Sequence, residues 1–205
     1  MIRIKICGIT QVEDALSAIA LGADALGFVF AKSPRKISLS KAKKICLALP
    51  PFVSKVGVFV NSKQEDVLKS IKYCGLDTIQ LHGDESDKYC AFFKKYCKII
   101  KAFRICDKKS LMIVNTYKNA DAFLFDAYVP GCYGGTGKTF SPDLLKKQKF
   151  IKPIIVSGGI NLQNSGKTIE LLKPYAIDAS SSVEKQPGIK DIKKLKALIL
   201  AVKNK

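Results

Sequence analysis

The sequence predicts an α/β protein, a single (β/α)8 barrel domain spanning residues 1–205. Three observations carry that reading. Short β-rich apolar runs recur eight times, starting about 20 to 31 residues apart. Segments of helical periodicity separate them, so the strands are joined by crossovers and run parallel. The first run leads into Cys7-Gly8-Ile9-Thr10, which lacks the glycine fingerprint that an open dinucleotide-binding sheet carries there.

The runs are Arg3–Ile6, Ala25–Phe30, Lys55–Val60, Thr78–Leu81, Lys98–Ala102, Ala122–Phe125, Pro153–Val156 and Ala176–Ala179. After the first, Thr10 and Glu13 have capping-box spacing ahead of a helix that would bury Ala15, Leu16 and Ile19. Ser62 and Glu65 repeat the spacing before Val67, Leu68 and Ile71. Gly22 and Gly75 suit helix stops, where a left-handed residue is needed. Ser141 followed by Pro142 reads as an N-cap with proline in the first helical position. Ile192, Leu195, Ile199 and Val202 form the apolar stripe of a closing helix. About eight helices are expected, and no linker or composition shift marks a second domain.

Composition narrows the function. Hydrophobic residues at 47 % and charged residues at 25 % exclude disordered and fibrous classes. No apolar run reaches the roughly 18 residues of a membrane span. The N-terminal MIRIKICGIT lacks an apolar signal core, so a cytoplasmic protein is expected. The net charge of +18 invites a nucleic-acid reading, but only Arg3, Arg35 and Arg104 are arginines. The lysines are spread along the whole chain, so no nucleic-acid partner is expected. A positive field suits an anionic small-molecule substrate. Seven cysteines without a C-x-x-C pair, and one histidine, offer no metal-ligand spacing, and the thiols are read as reduced. The segment Gly134–Thr139 imitates a phosphate-binding P-loop, but its first glycine would have to be residue 132, which is Cys132. Neither metal nor cofactor is expected. No long exposed apolar strip stands out, so a monomer is expected.

In such a barrel the chemistry lies at the C-terminal strand ends. Polar residues replace the apolar pattern there: Cys7 after Lys5, Arg35, Asn61, Gln80 with His82, Asp126, Ser157-Gly158-Gly159, and Asp178 with Ser180-Ser181-Ser182. The glycines and serines after the seventh and eighth strands suit a phosphate, because small residues let backbone N–H groups close on an anion. Cys7 and Asp126 would face each other from opposite sides of the ring, a thiolate base and a carboxylic acid for proton transfer between carbon and oxygen. A free thiol has a pKa of about 8.5, so Lys5 and the positive field would have to favour the thiolate. His82 could touch substrate, and Asp178 could orient a sugar hydroxyl.

Ordered motifs sharpen the picture: KICGIT at 5–10, GFVF…SPR ending at Arg35, KVGVFVN at 55–61, QLHGDE at 80–85, LFDA at 124–127, GGTGKTF at 134–140, SGGI at 157–160 and DASSSVE…PGIKD from Asp178 to Asp191. Nearly the whole chain thereby resembles the phosphoribosylanthranilate isomerase family, cofactor-free barrel enzymes that perform an Amadori rearrangement. The resemblance implies Cys7 as general base at the sugar C2. It implies Asp126 as general acid at the ring oxygen and Arg35 as partner of the anthranilate carboxylate. Gly158, Gly159, Ser180, Ser181 and Ser182 would hold the phosphate. The family usually has glycine where Ser182 stands, and proline and valine where Leu162 and Ser165 stand.

Overall fold

The computed structural model of the chain describes residues 2–105, 107–127 and 143–205. Its centre is a ring of eight parallel strands: β1 (Arg3–Cys7), β2 (Ala25–Val29), β3 (Ser54–Phe59), β4 (Thr78–Leu81), β5 (Lys98–Ile105), β6 (Ala122–Ala127), β7 (Ile154–Val156) and β8 (Ala176–Ala179). They pair in chain order, and β8 closes on β1. The expected barrel is therefore what forms, with strand limits within about three residues of those read from the sequence.

Period two explains how one strand serves two layers. Even positions of β1 and β2 (Ile4, Ile6, Leu26, Phe28) enter the large outer core against the helices. Inward positions form a separate small core of Val56, Ile100, Ala102, Ala122, Leu124, Ile155 and Ala176. Inward residues nearer the C-terminal ends are polar instead, and they make the site. The outer layer holds α1 (Val12–Ala20), α2 (Leu39–Ala48), α3 (Gln64–Cys74), α4 (Asp87–Phe93), α5 (Asp143–Lys146), α6 (Leu162–Leu172) and α7 (Ile192–Lys203). A short antiparallel ribbon of β9 (Glu184–Gln186) and β10 (Ile189–Lys190) sits between β8 and α7.

Several local readings are corrected. Among the described residues no α-helix joins β5 to β6. Two 3-10 turns, Lys109–Leu111 and Val114–Thr116, take its place. They suffice because Leu111 and Val114 bury themselves against Phe103, Phe123 and Phe125, with Phe103 edge-on to Phe123 at 5.6 Å between ring centres. The Thr10–Glu13 capping box does not form. The Thr10 hydroxyl donates to the Gly188 carbonyl instead, and Gln11 caps α1 without a side-chain bond. Lys63, not Ser62, precedes α3, again without a side-chain cap. Leu16 faces outward, and Ala18 takes its place in the core. Gly75 does stop α3 in the left-handed conformation, its N–H returning to the Ile71 carbonyl. The Ser141–Pro142 cap and the Gly134–Thr139 loop lie outside the described residues, as do Cys106 and Cys132.

Candidate active site

The β1 register sets the first group. Cys7 pairs with Gly27 of β2, and Lys5 pairs with Ala25 on one side and Asp178 of β8 on the other. A methyl group on Gly27 would sit 2.7 Å from the Cys7 sulfur and 3.1 Å from its Cα. The glycine is thus the space the thiol occupies. Gly27→Ala is expected to displace the sulfur and lower kcat about tenfold, while Tm falls by only a few degrees. Steady-state kinetics with thermal melts on the same preparation check both.

Lys5 reaches Asp178 at 2.8 Å, both side chains almost fully buried. Ser157 donates to the other Asp178 oxygen at 3.3 Å. Burial pushes the Cys7 thiol above its ordinary value, and Asp178 adds to the rise. Lys5 and Lys190 oppose it without overcoming it. The expected cationic help is present, but desolvation outweighs it and the thiol stays above its ordinary value. Burial also pulls Lys5 down, but Asp178 and the Cys7 side chain outweigh it and hold the ammonium above the usual lysine value.

Asp126 stands three strands from Cys7 by the shorter way round, through β8 and β7, so the two are not diametrically opposed. Its Oδ2 lies 3.3 Å from His82 Nε2. The other ring nitrogen, Nδ1, contacts the Gln80 amide at 3.0 Å. His82 Nε2 has no hydrogen-bond partner among the described residues, so it approaches the Asp126 carboxyl without bonding it. The loop that carries His82 is held by groups the sequence did not single out. Glu85 accepts from the Asn61 N–H at 2.8 Å, the Gly83 N–H at 2.9 Å and the fully buried Lys101 at 3.0 Å. In a lysine-rich chain, Lys101 carries no mark that separates it from a solvated charge.

Arg35 leans over Gly8, whose φ of +77° and missing Cβ leave room for its stem. Its guanidinium grips Glu184 through Nε at 3.0 and 3.1 Å and through Nη2 at 2.8 Å. Cys7, Arg35, Gln80, His82, Asp126, Ser157, Asp178 and Ser180 line one pocket at the C-terminal end of the barrel. A second pocket is lined by Gly158, Gly159, Ser180, Ser181 and Ser182, and it shares Asp126, Ser157, Asp178 and Ser180 with the first. Cys7, Arg35, His82, Asp126, Gly158, Gly159, Asp178 and Ser180 to Ser182 are thus in one of two adjoining pockets, whereas Asn61, also expected at a strand end, lines neither and bonds Asp84 instead. A cavity of about 640 Å3 opens at the opposite end among the strand starts, with Lys5 the site-adjacent side chain it reaches.

The glycine–serine loops are built from local rules. Gly158 and Gly159 have φ of +80° and +69°, the region glycine enters without strain. Asn161 then caps α6 in a full capping box with Asn164. That box does the work of a proline at Leu162, the first helical residue. Ser182 lies in a 3-10 turn and does not have positive φ, so its position does not demand the family's glycine. Its hydroxyl is buried with no hydrogen-bond partner among the described residues. Those residues hold no cluster able to bind a metal ion, and none of their helices is long and apolar enough to cross a membrane.

A closed parallel barrel with a thiol, a carboxyl group and glycine–serine loops gathered at its C-terminal mouth has the layout of a barrel enzyme. The family model described as N-(5′-phosphoribosyl)anthranilate isomerase matches residues 4–201. The chain belongs to that family. It is 46 % identical to the N-(5′-phosphoribosyl)anthranilate isomerase of Geobacter metallireducens over 204 residues, 99 % of this chain and all of the relative. The crystal structure of the Thermotoga maritima phosphoribosyl anthranilate isomerase superposes with a TM-score of 0.94 at 38 % identity, covering both chains fully. A phosphoribosyl anthranilate isomerase in complex with reduced 1-(o-carboxyphenylamino)-1-deoxyribulose 5-phosphate superposes at 0.90 and 37 % identity, again over both whole chains. The chain is an isomerase of tryptophan biosynthesis that converts N-(5′-phosphoribosyl)anthranilate to 1-(2-carboxyphenylamino)-1-deoxyribulose 5-phosphate.

Proposed function

We propose that Cys7 and Asp126 carry the two proton transfers of this isomerisation. The observation that supports it is their presence in one pocket that adjoins the glycine–serine cradle. As general acid, Asp126 gives a proton to the furanose oxygen as the C1–O bond breaks. The anthranilate nitrogen lone pair moves into a C1=N bond, and the iminium acidifies C2. The Cys7 thiolate then takes the C2 proton. The C–H electrons form C1=C2, and the C1=N pair returns to nitrogen. In the following tautomerisation C1 gains a proton and the C2 hydroxyl loses one, which restores acid and base. His82 Nε2 lies beside the Asp126 carboxyl at 3.3 Å, and Asp178 faces the sugar. The guanidinium fork of Arg35 receives the anthranilate carboxylate. Gly158, Gly159 and Ser180 to Ser182 take the phosphate.

The test follows the loss of phosphoribosylanthranilate fluorescence with purified protein, the substrate being generated in place from anthranilate and phosphoribosyl pyrophosphate by a transferase. Turnover that survives Cys7→Ala would overturn the assigned base. The Ser182 hydroxyl should donate to a phosphate oxygen, where the usual glycine has no side chain to offer. Ser182→Gly is therefore expected to raise KM about three- to tenfold with kcat little changed, the loss of one hydrogen bond to a charged group. An unchanged KM would remove Ser182 from the phosphate site.

A further inference from the structure

The DASSSVE…PGIKD segment is distinctive, yet the isomerisation chemistry uses only its first residues. Its remainder folds into the β9–β10 ribbon, and that ribbon converges on one buried carboxylate. Glu184 Oε1 accepts from Arg35 Nε at 3.0 Å, Lys190 Nζ at 2.8 Å and the Gly188 N–H at 3.2 Å. Its Oε2 accepts from Arg35 Nη2 at 2.8 Å. Lys190 also donates to the Cys7 carbonyl, and Ser180 donates to the same oxygen at 3.2 Å. Lys190 and Glu184 are both buried, at 2 % and 6 % exposure. A glutamate in this place neutralises half of a cation pair, and it fixes two of the three guanidinium nitrogens in a plane. Arg35 Nη1 alone has no hydrogen bond among the described residues.

We infer that Glu184 is a positioning residue for substrate selection: it locks the Arg35 fork against β1 so that one fixed edge of it meets the aromatic carboxylate. An arginine on a free loop would satisfy many anions in many poses, whereas a fork clamped on one edge accepts a planar anion from one direction. The second link, through Lys190 to the Cys7 carbonyl, ties the same clamp to the strand that carries the base. Burial pushes the Glu184 carboxyl up, but the Arg35 hydrogen bond and the Lys190 charge outweigh it, so the clamp is ionised at neutral pH. The inference rests on the reading of Arg35 as the carboxylate's partner.

The experiment compares kcat/KM for the anthranilate substrate with that for its aniline counterpart, which lacks the carboxylate. It uses the wild type, Arg35→Met, Glu184→Gln and the double variant. The wild type should prefer the carboxylated substrate by about 10²-fold, and Arg35→Met should erase most of that preference. Glu184→Gln should cut the preference about tenfold, and it should cut nothing further once Arg35 is gone. Equal loss on both substrates would reduce Glu184 to a structural prop and overturn the proposal. So would a preference left unchanged, or one that Glu184→Gln still shifts in the Arg35→Met background. A preference that survives Arg35→Met would instead overturn the reading of Arg35 itself, a distinct outcome. Should Glu184→Gln fail to fold, Glu184→Asp keeps the charge and withdraws the carboxylate by one methylene. The same fall in preference is then expected, and its absence refutes the clamp.

Discussion

Cys7→Ala is expected to lower kcat by at least about 10²-fold with the barrel intact, and Asp126→Asn by a similar factor. The two should not multiply. On the proposed roles each group acts on an intermediate that the other helps to make, so the double variant should resemble the worse single one. The fold tolerates the cysteine change because the thiol occupies a pocket floored by Gly27, where alanine leaves less volume and no unpaired polar atom. The pH profile is the sharper test. Burial holds the Cys7 thiol above its ordinary value, so the thiolate fraction is small at neutral pH and grows with every step upward. In the Asp126→Asn background, where that acid no longer titrates, the logarithm of the residual kcat/KM should climb through pH 7 and still be climbing near the usual cysteine range of about 8.5. A profile flat from about pH 6 upward in that background would mean that the base is already ionised there, which a desolvated thiol cannot be.

The barrel was legible because its signal is local. Eight short apolar runs and their spacing survive without any knowledge of contacts. The candidate site was legible for a related reason: Cys7, Asp126 and Asp178 interrupt apolar strands at their last inward positions. What could not be read is anything whose meaning depends on a distant partner. Glu184 and Arg35 are separated by 149 residues in sequence. Lys101 and Glu85 are buried charges in a chain with thirty-five basic residues, and no pattern distinguishes them. The capping boxes failed in the same way. Thr10 has the right neighbours for a cap, but the Gly188 carbonyl, brought over by the ribbon, takes its hydroxyl. The Cys7 environment was misjudged because charge can be counted in a sequence and burial cannot.

Lys5→Met joins stability to chemistry. Lys5 and Asp178 are register partners on β1 and β8, 2.8 Å apart and buried inside the ring. Deleting the cation leaves a carboxylate out of water, with Ser157 as its remaining side-chain donor. The loss should be about 3–5 kcal/mol in urea unfolding. Asp178→Asn in the same chain should recover a large part of it, because the stranded charge is then gone. Because Lys5's proton affinity is raised in the folded state, its contribution is complete below the usual lysine pKa of about 10.4 and fades only as pH rises beyond it. Stability of the wild type should therefore show no step from this pair across neutral pH. The kinetic effect has a definite sign. Lys5 is the first of the cations that lower the Cys7 thiol, so its removal should drive the thiol further up. The rising limb of kcat/KM should then move to higher pH, and activity at neutral pH should fall by about 10- to 10²-fold, one to two pH units of thiolate population. A variant that loses stability while its pH profile stays in place would show that Lys5 braces the barrel without tuning the base.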